Sequence, residues 1–192
     1  MAPDPNQKKG REQKSREPSS ESPPPAFVLT SDQIQAAQSG DLIAMGDVLD
    51  GLMPWVGRLC GSIALDAGPD AAQETMIQVM RDLRGLRDPD SLRSWVRRIA
   101  TREAIRHAER RRREPLVDHI EESEGVVLDP SLRRDVARVL SELAPDQRAI
   151  LVLRDLEGLS EAEAADELNV ARGTIKSRLH RARDAFRKRW PS

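Results

Sequence analysis

Tyrosine is absent from this chain of 192 residues, phenylalanine occurs twice and tryptophan three times. With so few rings, each Trp is expected to anchor a core or a contact. A single cysteine, Cys60, excludes an internal disulfide and fits a reducing compartment. It reads as a small buried hydrophobe rather than a thiol switch. The N-terminus lacks an apolar signal core, so secretion is not expected and a cytoplasmic location is. No run reads as long and apolar enough to span a membrane, so no membrane insertion is expected. No alternating strand pattern and no internal repeat is present. A nucleophile–base pair, a glycine-rich phosphate loop and a metal-ligand cluster are all missing, and His107 and His119 stand without ligand spacing around them. An enzyme is therefore not expected, and neither is a cofactor or a metal.

Charge, by contrast, is abundant. Thirty-one Lys and Arg stand against 32 Asp and Glu, and the formal net charge of −1 conceals strong local asymmetry. Residues 93–113 and the C-terminal stretch are strongly basic. Residues 118–129 are acidic, with Asp118, Glu121, Glu122, Glu124 and Asp129.

Composition divides the chain. Residues 1–28 hold Pro, Ser, Gln, Lys and Glu with little that is apolar, and are expected to be a disordered extension. It could be a removable segment, a partner-binding arm or inert. Residues 30–113 are helical in pattern throughout, with a first helix over 31–39 and a second over 42–65. Pro54 is expected to kink or split the second. Gly68, Pro69 and Asp70 stop the chain, and Asp70 can cap a third helix with Gln73 at its N3 position. Ala72, Met76, Val79, Met80 and Leu83 would form the inner side of that helix. A fourth helix follows over 91–112, with Leu92, Trp95, Val96 and Ile99 as core; that phase favours packing over base stacking for Trp95. Residues 114–130 read as a flexible acidic linker. Residues 131–190 form a second helical unit, with a helix over 131–143 and another from Pro145 to Leu156. The fold class expected is all-α: two small helical domains joined by the linker.

The stretch from Leu159 to Arg183 carries the most information. Ser160 can cap a helix and Glu163 completes a capping box. Ala162, Ala165 and Leu168 supply a small packing face, and Asn169 can end the helix in a left-handed conformation. Val170 tucks into the turn, and a second helix starts at Arg172 or Gly173. In that helix Ile175, Leu179, Ala182 and Phe186 share one apolar stripe, and Gly173, Ser177 and Arg181 lie opposite. Two short helices with a tight turn and a basic second helix make a helix-turn-helix, whose second helix enters the major groove of DNA. His180 reads as a phosphate or solvent contact rather than a metal ligand.

The block from Gly173 to Arg183, with Glu157 to Ala165 and Leu143 to Arg154 before it, resembles region four of bacterial sigma factors, specifically the extracytoplasmic-function (ECF) group of the sigma-70-type family. Residues 30–113 resemble region two of that group. Asp70, Gln73 and Glu74 match its acidic–x–x–Gln–Glu cluster, Trp95 to Ala100 match its Trp–Leu–x–x–Ile–Ala, and the basic run Arg110 to Arg113 follows. The chain departs from that pattern at Thr101 and Arg102, where an Asn is common, and at Arg106, where an Asp is common. It also has Met76, Val79 and Met80 where the third helix usually has aromatics.

The resemblance implies promoter-directed transcription initiation. It assigns minus-thirty-five recognition to Arg172, Thr174, Lys176, Ser177, Arg178 and Arg181. It assigns minus-ten binding to Ser94, Arg97, Arg98, Thr101, Arg102 and Arg106, with a flipped base held near residues 87–91. It assigns core polymerase binding to Asp70, Gln73, Glu74, Gln78, Arg81 and Asp82. The implied partners are bacterial core RNA polymerase, through the β′ clamp and the β flap, promoter DNA, and an anti-sigma factor. The acidic linker either threads the polymerase cleft or is a solvated spacer. A stand-alone helix-turn-helix regulator would account for residues 131–190 but not for the Gln73–Glu74 cluster or the Trp95 helix. It would also bind duplex DNA tightly by itself, whereas a chain of near-zero net charge is expected to bind weakly until polymerase aligns both regions.

Overall fold

The structure, a computed structural model, describes residues 29–113 and 130–191; the expected N-terminal extension and nearly all of the acidic linker lie outside them. Eight α-helices are present among the described residues, and no strand. The helices are α1 (Ser31–Gln38), α2 (Leu42–Ala64), α3 (Gly68–Asp82), α4 (Leu92–Arg113), α5 (Pro130–Ser141), α6 (Pro145–Leu151), α7 (Glu161–Glu167) and α8 (Arg172–Arg189).

Local chemistry sets the starts of α1, α2 and α7. Thr30 and Gln33 form a capping box at α1, and Asp41 caps α2 by accepting from the amides of Ile43 and Ala44. Gln38, at the end of α1, donates to the carbonyls of Leu83 (3.0 Å) and Leu86 (2.6 Å), tying α1 to the exit of α3. Val48, Leu52, Val56, Leu59, Cys60 and Ile63 make α2 the axis of the N-terminal bundle, with α1, α3 and α4 around it. Each such side chain contributes up to about 1.5–3 kcal/mol of burial free energy.

Four expectations are corrected here. Pro54 neither splits nor ends α2; it lies on the exposed side, where water can satisfy the carbonyl its ring releases. Asp70 does not cap α3. A 3-10 turn, Leu65–Ala67, leads straight from α2 into α3, and Pro69 occupies the first turn, where a missing N–H costs nothing. Asp70 then sits one position further in, where its charge still favours the helix N-terminus. Met80 is exposed, one helical step beyond the inward line of Ala72, Met76, Val79 and Leu83, and Thr75 and Ala71 are buried instead. Finally, the helical stretch Leu42–Gly85 is long and apolar enough to cross a membrane by length and composition. Its apolarity serves the bundle: α2 is packed by helices on several sides, so it needs more than a single apolar stripe.

In the C-terminal half, α6 runs into a single π turn, Val152–Leu156, and α7 and α8 form the helix-turn-helix over it. Leu143, Ile150, Leu153, Leu159, Ala164, Ala165, Ile175, Leu179 and Ala182 are its core. The Ser160–Glu163 capping box is formed, and Asn169 adopts φ 50°. The halves are not independent beads. Ala149 and Val152 belong to the core cluster of the N-terminal bundle, and α6 packs on both α2 and α4.

Candidate nucleic-acid interface

Helix α8 carries an open basic face. Ile175, Leu179 and Ala182 are buried, while Arg172, Gly173, Lys176, Ser177 and Arg181 are exposed, with Thr174 and Arg178 half-buried on the flanks. Ser177 bonds back to the carbonyl of Thr174 at 2.9 Å and Arg181 to that of Ser177 at 3.3 Å. Arg172 and Lys176 are thus free to extend toward a groove. Arg183 is engaged differently. It pairs with Asp155 of the π turn, which raises its already high pKa and fixes α8 against α6. His180 lies 3.1 Å from Asp184. Among the described residues no group of three or more His, Cys, Asp or Glu could hold a metal.

Helix α4 differs from its sequence reading. Ser94, Arg98, Arg102 and Arg106 are exposed, but Thr101 is buried at 1% exposure, and Arg97 is mostly covered. The reason is that α4 buries two adjacent lines. Leu92, Val96 and Ile99 form one, and Thr101, Ala104 and Ala108 extend the line that Arg97 begins. The cover over Arg97 is acidic. Its Nε donates to Glu167 Oε1 at 2.7 Å, and a terminal nitrogen lies 3.8 Å from Glu157. Arg98 reaches the second oxygen of Glu167 at 3.3 Å. Glu157 also accepts from the indole N–H of Trp55, at 3.1 and 3.2 Å, and the Arg93 guanidinium stacks 4.6 Å over that ring. Arg106 and Arg102 flank buried Glu103.

Helix α3 exposes Asp70, Gln73, Glu74 and Arg81, whereas Gln78 and Asp82 are half-buried. Arg102 donates to Gln78 at 2.9 Å. Between α3 and α4 lies an open cavity of about 280 Å³, bordered by Gln78, Asp82, Trp95, Arg98 and Arg102. Residues expected to meet polymerase and residues expected to meet DNA therefore share one hollow, with Trp95 half-buried at its wall and packed on the core.

Residue order assigns no site role to Trp55, Arg148, Glu157 or Glu167, although each Trp is expected to anchor a core or a contact and Arg148 and Glu157 lie in the blocks that resemble region four. A signal was available for two of them. Arg148 lies in phase with Leu151 and Val152, and Glu167 in phase with Ala164, so each puts a charge on an inward face, where unpaired charge is rarely found.

Known proteins share the two helical regions. Residues 51–114 match the family model described as sigma-70 region 2, and residues 133–186 the one described as sigma-70, region 4. The chain belongs to the ECF sigma factors. Sigma factors of this kind bind core RNA polymerase and promoter DNA to start transcription. The ECF sigma-E factor of Salmonella typhimurium is 33% identical over 135 residues, which cover 62% of this chain and 71% of that one. SigE of Mycolicibacterium smegmatis is 34% identical over 128 residues, 62% of this chain; the match spans about half (49%) of that longer relative. Among solved structures, the sigma factor RpoE of Bartonella quintana, in complex with the anti-sigma factor NepR, has 25% identity and a TM-score of 0.60. It covers 75% of this chain and 94% of its own. CnrH in complex with the cytosolic domain of CnrY shares the fold, with a TM-score of 0.58 at 23% identity, over 82% of this chain and 94% of its own.

Proposed function

We propose that this ECF sigma factor directs core RNA polymerase to promoters through three surfaces. The observation that carries the assignment is the exposed basic face of α8 on a capped helix-turn-helix, in one chain with the α3–α4 pair. Arg172, Thr174, Lys176, Ser177, Arg178 and Arg181 read the minus-thirty-five duplex. An arginine paired with a guanine edge is worth about 1–3 kcal/mol of discrimination. Ser94, Arg97, Arg98, Arg102 and Arg106 on α4 hold the minus-ten strand, chiefly by charge on its phosphates. Buried Thr101 acts through packing, not contact. Asp70, Gln73, Glu74 and Arg81 on α3 dock on the β′ clamp of polymerase, with Gln78 and Asp82 at the rim of the hollow shared with α4. Residues 133–186 engage the β flap and DNA. The protein acts in the cytoplasm, and an anti-sigma factor is its proposed regulator, as the NepR complex of the Bartonella quintana relative suggests.

The test is run-off transcription with purified core polymerase and a pool of promoter fragments. Starts that appear only with this protein are expected. No starts, together with failure to co-purify with core polymerase, would remove the assignment of α3 and α4.

A further inference from the structure

The apolar line of Leu92, Val96 and Ile99 on α4 continues, one helical step on, into a carboxylate, Glu103. Glu103 is 7% exposed, and its Oε2 is sealed from water. A buried carboxylate is tolerated only with partners. Here the partners are two exposed arginines of the same helix. A terminal nitrogen of Arg106 makes an ion pair with Oε2, and the Nε of Arg102 lies 3.6 Å from Oε1. Arg102 is held at a second point, where a terminal nitrogen donates to Gln78 of α3 at 2.9 Å. A planar guanidinium fixed at its Nε and at one end has the direction of its remaining donors set as well. Arg102 borders the open hollow between α3 and α4. Arg102 and Arg106 are also positions at which the sequence departs from the ECF pattern, and the carboxylate between them joins the two departures into one unit. That unit is a poor choice if charge were its only purpose. Beneath a face that meets a polyanionic strand, Glu103 cancels one of the two positive charges.

We propose that Glu103 is a positioning residue for strand recognition: with Gln78 it holds the Arg102 guanidinium in one orientation, so that α4 presents fixed donors to an unstacked base. Attraction for phosphates is traded for geometry. A guanidinium only donates, so the edge that it selects carries acceptors, as guanine does at O6 and N7. Glu103 acts through Arg102 and touches no DNA itself. Arg106 closes the other side of the carboxylate and leaves it no unpaired oxygen. The proposal rests on the assignment of strand binding to α4.

The test uses holoenzyme reconstituted from the full chain and core polymerase. Its templates carry a promoter found by run-off transcription, randomised across the minus-ten element and barcoded downstream of the start. Counting barcodes in the transcripts gives the base preference at each position, from which any uniform gain or loss of binding cancels. Glu103→Gln keeps the shape of the side chain and removes its charge. Glu109→Gln, exposed on the same helix, makes an equal change of charge and is the control. Arg102→Ala and the double variant complete a cycle. Glu103→Gln and Arg102→Ala are each expected to lower the preference at the same single position by about tenfold, and Glu109→Gln to leave it alone. Once Arg102 is gone, Glu103→Gln should add nothing at that position. A preference lowered by Arg102→Ala but kept by Glu103→Gln would overturn the positioning role and leave Arg102 as a reader. Losses that simply add in the double variant would overturn it too, since Glu103 would then act on the fold alone. A preference untouched by Arg102→Ala would remove Arg102 from strand recognition, and the proposal with it. Helical content by circular dichroism checks the fold. If Glu103→Gln loses it, Glu103→Asp, which keeps the charge but draws the carboxylate back from Arg102, carries the same readouts.

Discussion

Arg148 on α6 donates its Nε–H to the carbonyl of Ile63, 2.6 Å away in the last turn of α2 and 85 residues earlier in the chain. A terminal nitrogen of the same guanidinium donates to the carbonyls of Leu140 (3.1 Å) and Leu143 (2.9 Å) around the end of α5. One buried cation thus satisfies carbonyls at the ends of two helices, where the negative ends of helix dipoles collect. Burial lowers its pKa to about 10, so it remains charged at neutral pH.

Arg148→Ala should therefore cost about 3 kcal/mol in denaturant unfolding, because it strands two buried carbonyls and a part-buried one rather than deleting a surface pair. Arg148→Lys should recover only part of this, since an ammonium lacks the planar fork that reaches both helix ends. A loss below about 1 kcal/mol for Ala would mean that water replaces the guanidinium.

Gly68 is held by a close backbone approach. A Cβ there would lie 2.6 Å from the Cα of Gly61 and 2.9 Å from its nitrogen. Backbone cannot swing aside, so Gly68→Ala should destabilise by about 1–3 kcal/mol. Gly61→Ala, whose Cβ would meet nothing within 4 Å, should be neutral or stabilise α2 by up to about 1 kcal/mol. Thermal unfolding of the two variants checks the contrast.

The capping box of α7 makes an acid-sensitive joint. Glu163 accepts from the Ser160 amide at 2.7 Å, and the Ser160 hydroxyl accepts from the Glu163 amide at 3.2 Å. The bonds with Ser160 lower the Glu163 pKa below its ordinary 4.5. A depressed carboxylate contributes stability above its unfolded pKa and loses it as pH falls through the folded one. Glu163→Gln should flatten the acid limb of the stability curve below about pH 5 by lowering the neutral plateau, since the carboxylate's contribution is present there in the parent and absent in the variant. Ser160→Ala should cost about 1 kcal/mol at pH 7.

Cys60 is wholly buried, its thiol 3.8 Å from the carbonyl of Ala100, and burial pushes its pKa up from 9.0 to about 12. A thiol reagent at about pH 8 should label it only after unfolding. The sign follows from the raised value: the neutral thiol favours the fold, so its contribution is intact below pH 9.0 and lost as pH rises toward about 12. Cys60→Ala should remove that part of the alkaline decline.

Lys176 offers a point charge to the DNA backbone. With holoenzyme on a promoter fragment found by run-off transcription, Lys176→Ala should weaken binding across sequences and reduce the salt slope by about 0.9. Arg172→Ala, if Arg172 reads a base edge, should instead relax preference at one position by about 1–3 kcal/mol.

Much of the site was legible in local pattern. The Ser160–Glu163 box, the left-handed Asn169 and the stripe of Ile175, Leu179 and Ala182 all depend on neighbours within a turn or two, so residue spacing suffices to find them. Errors arose where distant partners decide. Thr101 reads as outward from the first line of α4, yet it belongs to a second line that tertiary packing buries. Pro54 reads as a break, yet α2 continues because its neighbours hold it and the proline side faces water.

Residue order alone specifies the helices, the Ser160 cap of α7, the helix-turn-helix and the succession of the two regions, because capping and amphipathic phase are short-range properties of the chain. It took the packed fold to settle that Glu167 meets Arg97, Glu157 meets Trp55 and Arg148 meets Ile63, pairs separated by 70, 102 and 85 residues. A charge on an inward face announces that it needs a partner. Which partner it finds depends on how two packed units dock, and no local period encodes that.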